Sequence, residues 1–225
     1  MFCYNVNKTD GFKLTSKMSV ERHCAAVVFF FIFNLQWANP SGIGPCPRLH
    51  SGESKINLTK LTGHWFEIER SFYLMELISN CVTLELSETV KGRLDVAVST
   101  RSSWTGTFSI SEGTAVPTRR DPNMYLYRIN TRLPRIINRY LPGSGFYQVL
   151  KTDYSNYAII YSCSNYQLIH LDMIWIWSRK KEIEASLRSE LYAWLTKNNM
   201  DSERLILSKN DNCTDNVLSA LDYYI

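Results

Sequence analysis

Gly63-His64-Trp65-Phe66-Glu67-Ile68-Glu69-Arg70 decides how the rest of the chain is read. A glycine lets the backbone enter tightly, and aromatic and β-branched residues then alternate with polar ones at a period of two. That is a strand opening an antiparallel sheet. Working outward, similar segments follow at about Gly63–Phe72, Asn80–Thr89, Arg93–Arg101 and Trp104–Thr114. Four more fall at about Met124–Asn130, Phe146–Thr152, Tyr157–Cys163 and Ile169–Ser178. Lys91-Gly92, Asp121-Pro122 and Leu141-Pro142-Gly143-Ser144-Gly145 supply the breaks. Eight antiparallel strands in sequence predict an up-and-down β-barrel, because closure removes the exposed edges.

The period then changes. From Lys181 to Asn198, Ile183, Leu187, Leu191, Trp194 and Leu195 recur at helical spacing, so an amphipathic helix with one apolar face follows the last strand. A short strand-like piece, Arg204–Leu207, precedes Cys213. Before the first strand, the Gly/Pro-rich stretch Asn39 to Pro47 reads as an extended arm.

The N-terminus reads as a secretory leader over 1–38. Lys8, Lys13, Lys17 and Arg22 precede the apolar run Cys24 to Phe33, which is too short to span a bilayer. Met18 is an alternative start. With Cys3 and Cys24 removed in the leader, Cys46, Cys81, Cys163 and Cys213 remain. An even number in a secreted chain predicts two disulfides, with three connectivities open. No cysteine–histidine cluster has metal-ligand spacing, so neither a metal nor a cofactor is expected. Sequons at Asn57 and Asn212 are candidate glycosylation sites on the exterior. The net charge of +4 is far from the basic balance of a nucleic-acid binder, and a monomer is expected.

Three segments carry a family resemblance. Gly63-His64-Trp65 is similar to the Gly-x-Trp opening strand of the lipocalins, and Thr152-Asp153-Tyr154 to their Thr-Asp-Tyr turn. Trp175-Ile176-Trp177-Ser178-Arg179 resembles their closing strand ending in arginine. Within the family the likeness is to the apolipoprotein D and insect Lazarillo-type branch, through Asn156–Cys163 and Leu195-Thr196-Lys197-Asn198-Asn199. The resemblance covers roughly Cys46 to Cys213, within a domain placed at 39–213, and leaves the tail 214–225 without a role. It implies that Gly63, Trp65, Thr152, Asp153, Tyr154 and Arg179 are structural, with Arg179 packed across Trp65 at the closed end. It also implies the pairings Cys46–Cys163 and Cys81–Cys213. No free thiol then remains of the kind used by the family's prostaglandin synthase, so an enzyme is not expected.

Placing Trp65 and Arg179 at the barrel floor fixes which side chains point inward. The expected ligand-binding set is Val82, Leu84 and Leu86 on the second strand, and Leu94, Val96 and Val98 on the third. Tyr125, Tyr127 and Ile129 join from the fifth strand, Tyr147 and Val149 from the sixth, Ala158 and Ile160 from the seventh. Leu171, Met173, Trp175 and Trp177 complete it from the last. Such a lining suits a fatty acid, retinoid, sterol or similar lipid, carried outside the cell in lipid metabolism or stress protection. The alternatives are a bilin-binding pigment carrier, or a protective or signalling protein acting through protein or lipid-surface contacts. Glu67 and Glu69 share the inward parity of Trp65, while His170 and Asp172 face out. The apolar, arginine-flanked connections 72–78 and 132–141 suggest transient contact with a membrane or lipoprotein surface.

Overall fold

A computed structural model describes residues 41–49, 55–71, 79–119, 121–132, 143–166, 168–210 and 213. All of them belong to one unit, 40–225. The leader reading over 1–38, Asn212, the tail 214–225, the connection 72–78 and most of 132–141 lie outside the described residues.

Eight strands form the barrel: β2 (Gly63–Ser71), β3 (Ser79–Val90), β4 (Arg93–Ser102), β5 (Phe108–Pro117), β6 (Met124–Ile129), β7 (Gly145–Thr152), β8 (Tyr157–Tyr166) and β9 (Ile169–Ser178). Each pairs antiparallel with the next, and β9 closes on β2 through Phe66↔Ser178 and Arg70↔Trp175. Helix α2 (Ala185–Lys197) follows the barrel, and β10 (Leu205–Leu207) adds to β2 beyond the point where β3 leaves it. Two elements went unseen in the sequence. The expected arm holds a short strand, β1 (Ser41–Ile43), paired with the outer end of β9, and α1 (Leu58–Leu61) sits before β2. The fourth barrel strand also starts later than expected, at Phe108. Ser102 closes a turn by accepting from Gly106 N–H and donating to the Thr107 carbonyl, which leaves Trp104 in the loop and 84% exposed.

Period-two alternation sorts the apolar side chains into two layers. Trp65, Leu84, Leu86, Leu94, Val96, Tyr125, Val149 and Ile160 form the interior cluster. Leu150, Tyr157, Ile159, Tyr161, Ile174 and Ile176 point outward from β7–β9 and pack under Leu191 and Leu195 of α2 and under Met200. Strands β7–β9 are thus apolar on both faces because α2 covers the outer one. Disulfides Cys46–Cys163 and Cys81–Cys213 are formed, as the family resemblance implied. They close loops spanning 117 and 132 residues, each contributing about 4–5 kcal/mol by the chain-entropy account. The second anchors 205–210, whose Lys209 carbonyl accepts from Cys81 N–H and whose Ser208 N–H donates to the Ile68 carbonyl.

Candidate functional site

The closed end is built around Arg179. Its guanidinium lies 3.7 Å from the ring centroid of the fully buried Trp65. It donates to the carbonyls of His64 at 2.9 Å, Thr62 at 2.8 Å, Tyr154 at 3.0 Å and Lys60 at 3.3 Å. One side chain therefore ties the end of β9 to α1, to the start of β2 and to the β7–β8 turn. Gly63 is required twice over: its φ is +97°, and a β-carbon there would stand 3.2 Å from Arg179 Nη1. Trp65 Nε1 donates to the Leu61 carbonyl, which seats α1 beneath the floor. In the turn, Asp153 accepts from the backbone N–H groups of Ser155, Asn156 and Tyr157 and from the Asn156 side chain. Partial burial opposes its ionisation, but those hydrogen bonds outweigh it and hold its pKa below the usual aspartate range. These are structural roles throughout.

Above the floor lies a cavity of about 280 Å³, lined from all eight barrel strands. Of the expected set, Val82, Leu84, Leu86, Leu94, Val96, Val98, Tyr125, Tyr127, Ile129, Tyr147, Val149, Ile160, Trp175 and Trp177 line it. Three members, Ala158, Met173 and Leu171, are not among its lining residues. Ala158 offers a single methyl and is buried in the interior packing. Met173 rests half-buried against the same interior cluster. Leu171 sits at the outer end of β9, paired with Ser41. The aromatic wall is continuous: Tyr127 meets Tyr147 edge-to-face at 5.9 Å, and Tyr147 lies 5.6 Å from Trp175. Burial pushes the Tyr125 phenol up to about 12, with Tyr154 and Asp121 adding to it, and raises Tyr127 as well. Both phenols therefore stay neutral at physiological pH and offer hydroxyls rather than charge.

Several lining residues had no counterpart in the sequence reading: Leu61, Arg70, Ser79, Thr100, Ser111, Ala115 and Gly143. Thr100 continues the Leu94–Val96–Val98 alternation by one step, a signal that was available. Ser111 and Ala115 were hidden because they are smaller or more polar than their outward neighbours Ile110 and Val116. Pairing with Val98 and Leu94 is what assigns them inward. Gly113, between them, clears space for Tyr127, since a β-carbon there would stand 2.4–2.5 Å from the phenol ring.

The parity of Glu69 also needs correction. A bulge between Glu67 and Glu69 shifts the β2–β9 register, so Glu67 stays inward while Glu69 turns out. Glu69 there accepts from Tyr192 Oη and pairs with Arg188 Nε, both at 2.6 Å and both from α2. Arg70 turns inward and donates from Nη1 to Glu67 at 2.6 Å. On the outer face, Asp172 takes both terminal nitrogens of Arg204, and His170 Nδ1 lies 3.0 Å from the Gly44 carbonyl oxygen, so the two share no partner among the described residues.

A closed eight-stranded barrel around a largely apolar cavity, its floor sealed by an arginine on a tryptophan, defines a class of ligand-enclosing barrels. The chain belongs to the lipocalin family. Residues 135–211 match the profile of the Lipocalin / cytosolic fatty-acid binding protein family. Apolipoprotein D of Cavia porcellus is 33% identical over 174 residues, 76% of this chain and 86% of that protein. Among solved structures, insecticyanin from the tobacco hornworm Manduca sexta superposes with a TM-score of 0.63 at 21% identity, covering 76% of this chain and 89% of its own. Apocrustacyanin C1 gives a TM-score of 0.63 at 20% identity, covering 80% and 97%.

Proposed function

We propose that the protein is a secreted carrier that binds and releases a small hydrophobic ligand in its barrel without chemically altering it. The carrying observation is the cavity itself: a largely apolar, aromatic space of about 280 Å³. That volume stands at the small end of ligand pockets, which favours a slender lipid over a broad tetrapyrrole. Burying about ten methylenes is worth about 8 kcal/mol gross, and association and ordering costs of at least about 4 kcal/mol leave micromolar, reversible binding. Two formed disulfides support an oxidising, extracellular setting.

Tryptophan fluorescence tests the reading, since Trp175 and Trp177 line the cavity. Titration of the oxidised protein with fatty acids, retinoids, sterols and bilins should give saturable quenching by one slender class, reduced in Trp175→Phe and lost when Trp177 is also replaced by phenylalanine. No response to any class, with the barrel intact by circular dichroism, sinks the carrier reading. Visible absorbance copurifying with the protein would restore the pigment alternative.

Loading at a membrane or lipoprotein surface is the second part of the proposal. The connections 72–78 and 132–141 follow β2 and β6 at the strand ends away from Arg179, the ends that also carry Trp104 and Leu168, 84% and 80% exposed. Co-sedimentation with lipid vesicles that is unchanged when Ile136, Ile137 and Arg139 are all replaced by serine would rule out the connection 132–141 as the contact.

A further inference from the structure

The cavity wall has two unlike halves. Strands β2–β5 bring polar side chains to it: Glu67 and Arg70 from β2, Ser79 from β3, Thr100 from β4 and Ser111 from β5. Strands β6, β7 and β9 bring rings: Tyr127, Tyr147, Trp175 and Trp177. Ser79 opens β3, and Thr100 and Ser111 lie near the ends of β4 and β5 that point away from Arg179. The two halves meet on both sides. Arg70 pairs with Trp175 across β2 and β9, and the Tyr127 ring packs over Gly113, two residues from Ser111. Within the polar arc, Glu67 Oε1 accepts from Arg70 Nη1 and Ser208 Oγ, each at 2.6 Å, and Oε2 accepts neither. Thr100 Oγ1 lies 2.9 Å from Ser109 Oγ, which extends the arc by one more hydroxyl. Toward Arg179 the wall turns aliphatic, with Leu84, Leu86 and Leu94.

An arc of hydrogen-bonding groups set against aromatic rings fits a ligand that is itself two-sided. A hexose ring has that character. Its hydroxyls point outward around the edge, while its C–H face is apolar and carries the partial positive charge that an aromatic face attracts. Carboxylate and guanidinium groups each engage two adjacent hydroxyls at once, which a lone serine does not. We propose that this polar arc and the ring wall bind a single hexose, the head group of a glycosyl lipid whose hydrocarbon chain fills the aliphatic well. Trp175, beside Arg70, is the stacking ring; Glu67 and Arg70 hold the hydroxyls on one side, and Thr100 and Ser111 those on the other.

Other head groups fit this wall less well. A wholly apolar ligand would strip the arc of water and return no hydrogen bonds. A carboxylate would bring a further charge into a largely apolar cavity. A hexose returns several hydrogen bonds and adds no charge. Stability alone does not account for the Glu67–Arg70 pair either, since well-packed apolar residues of similar volume serve as well or better. Size limits the head to one ring, because about 280 Å³ must hold both sugar and chain. Gly113 helps here: with no β-carbon, it lets the Tyr127 ring lie back against β5 and keeps the lumen clear.

The inference rests on the carrier reading, so its test keeps one chain and varies the head: decyl β-glucoside, decanol and decanoate. Each is titrated calorimetrically into the oxidised protein, below its critical micelle concentration. The glucoside should bind at least about tenfold more tightly than either of the others, because only it reaches the arc and the rings together. Ser111→Ala and Trp175→Leu should each cut the ratio of glucoside to decanol affinity by about fivefold, the loss of one hydrogen bond or one stacked ring. Leu94→Ala, which touches the chain and not the head, should weaken both probes and leave their ratio unchanged. Decanol or decanoate binding as tightly as the glucoside overturns the sugar site and leaves the carrier reading standing; that outcome needs no variant to fold. A ratio unmoved in both Ser111→Ala and Trp175→Leu overturns it as well. Failure of all three probes overturns both readings.

Discussion

Replacing Arg179 by methionine keeps an unbranched stem against Trp65 and removes the guanidinium. Three short hydrogen bonds are lost, to Thr62 at 2.8 Å, His64 at 2.9 Å and Tyr154 at 3.0 Å; the longer, exposed contact with Lys60 adds little. The freed carbonyls in this part-open corner regain water, so each bond is counted at about 1 kcal/mol, the modest end for a charged donor. The cation–π contact at 3.7 Å adds about 1 kcal/mol, for a total near 4 kcal/mol. Against a typical stability of about 5–15 kcal/mol this is a large fraction. With a urea slope of about 2 kcal/mol/M, the unfolding midpoint should fall by about 2 M. Arg179→Lys keeps a charge over the indole but loses the planar fork, and should recover no more than about half. Equilibrium urea unfolding of the oxidised protein, followed by tryptophan fluorescence, measures both. A midpoint shift under about 0.5 M for Arg179→Met would refute the claim that one guanidinium ties four segments together.

Gly113→Ala forces a methyl against the Tyr127 ring and should destabilise by about 1–3 kcal/mol; an unchanged thermal midpoint would mean that the ring moves aside freely. Serine at both Cys46 and Cys163 should cost about 4–5 kcal/mol, read as a lower thermal midpoint without change in the native far-ultraviolet spectrum. Asp153 has a depressed folded pKa, so its contribution is present above the ordinary aspartate value of about 3.9 and is lost as pH falls through the folded one. Asp153→Asn should therefore be less stable at neutral pH and converge with wild type in acid, a pattern that parallel urea titrations would show or deny. Asn57 is exposed, and its Oδ1 caps α1 by accepting from Lys60 N–H. If its Nδ2 carries a glycan in the secreted protein, enzymatic deglycosylation should lower the mass, and Asn57→Gln should abolish that component.

Much of the barrel was legible because period-two alternation is a local signal. β3, β4, β6 and β9 carry it with bulky residues on the inner face, so strand limits and parity followed together. The outer helix was legible for the same reason at a different period, although it begins at Ala185 rather than Lys181. β5 shows where local reading stops. Its outward side chains Phe108, Ile110 and Val116 are more apolar than Ser111 and Gly113, yet they stand 36–45% exposed. The inner face is small there because Tyr127 from the neighbouring strand occupies the space, a fact about β6 that β5 does not contain. β1 was illegible for a related reason: three residues hold no period, and only the free edge of β9 makes them a strand.

The bulge in β2 is the deeper case, because one inserted residue there decides two sites at once. Continued alternation from Trp65 sends Glu67 and Glu69 inward and Arg70 outward. With the register shifted after Glu67, Arg70 enters the cavity and Glu69 leaves it. Outside, Glu69 pairs with Arg188 and accepts from Tyr192, whose phenol is pushed up to about 12 first by burial and then by that hydrogen bond, so the hydroxyl remains a donor. Inside, Arg70 reaches Glu67 and sets a charged pair in the cavity wall. The same shift that fastens the outer helix to the barrel therefore equips the interior with its charged pair.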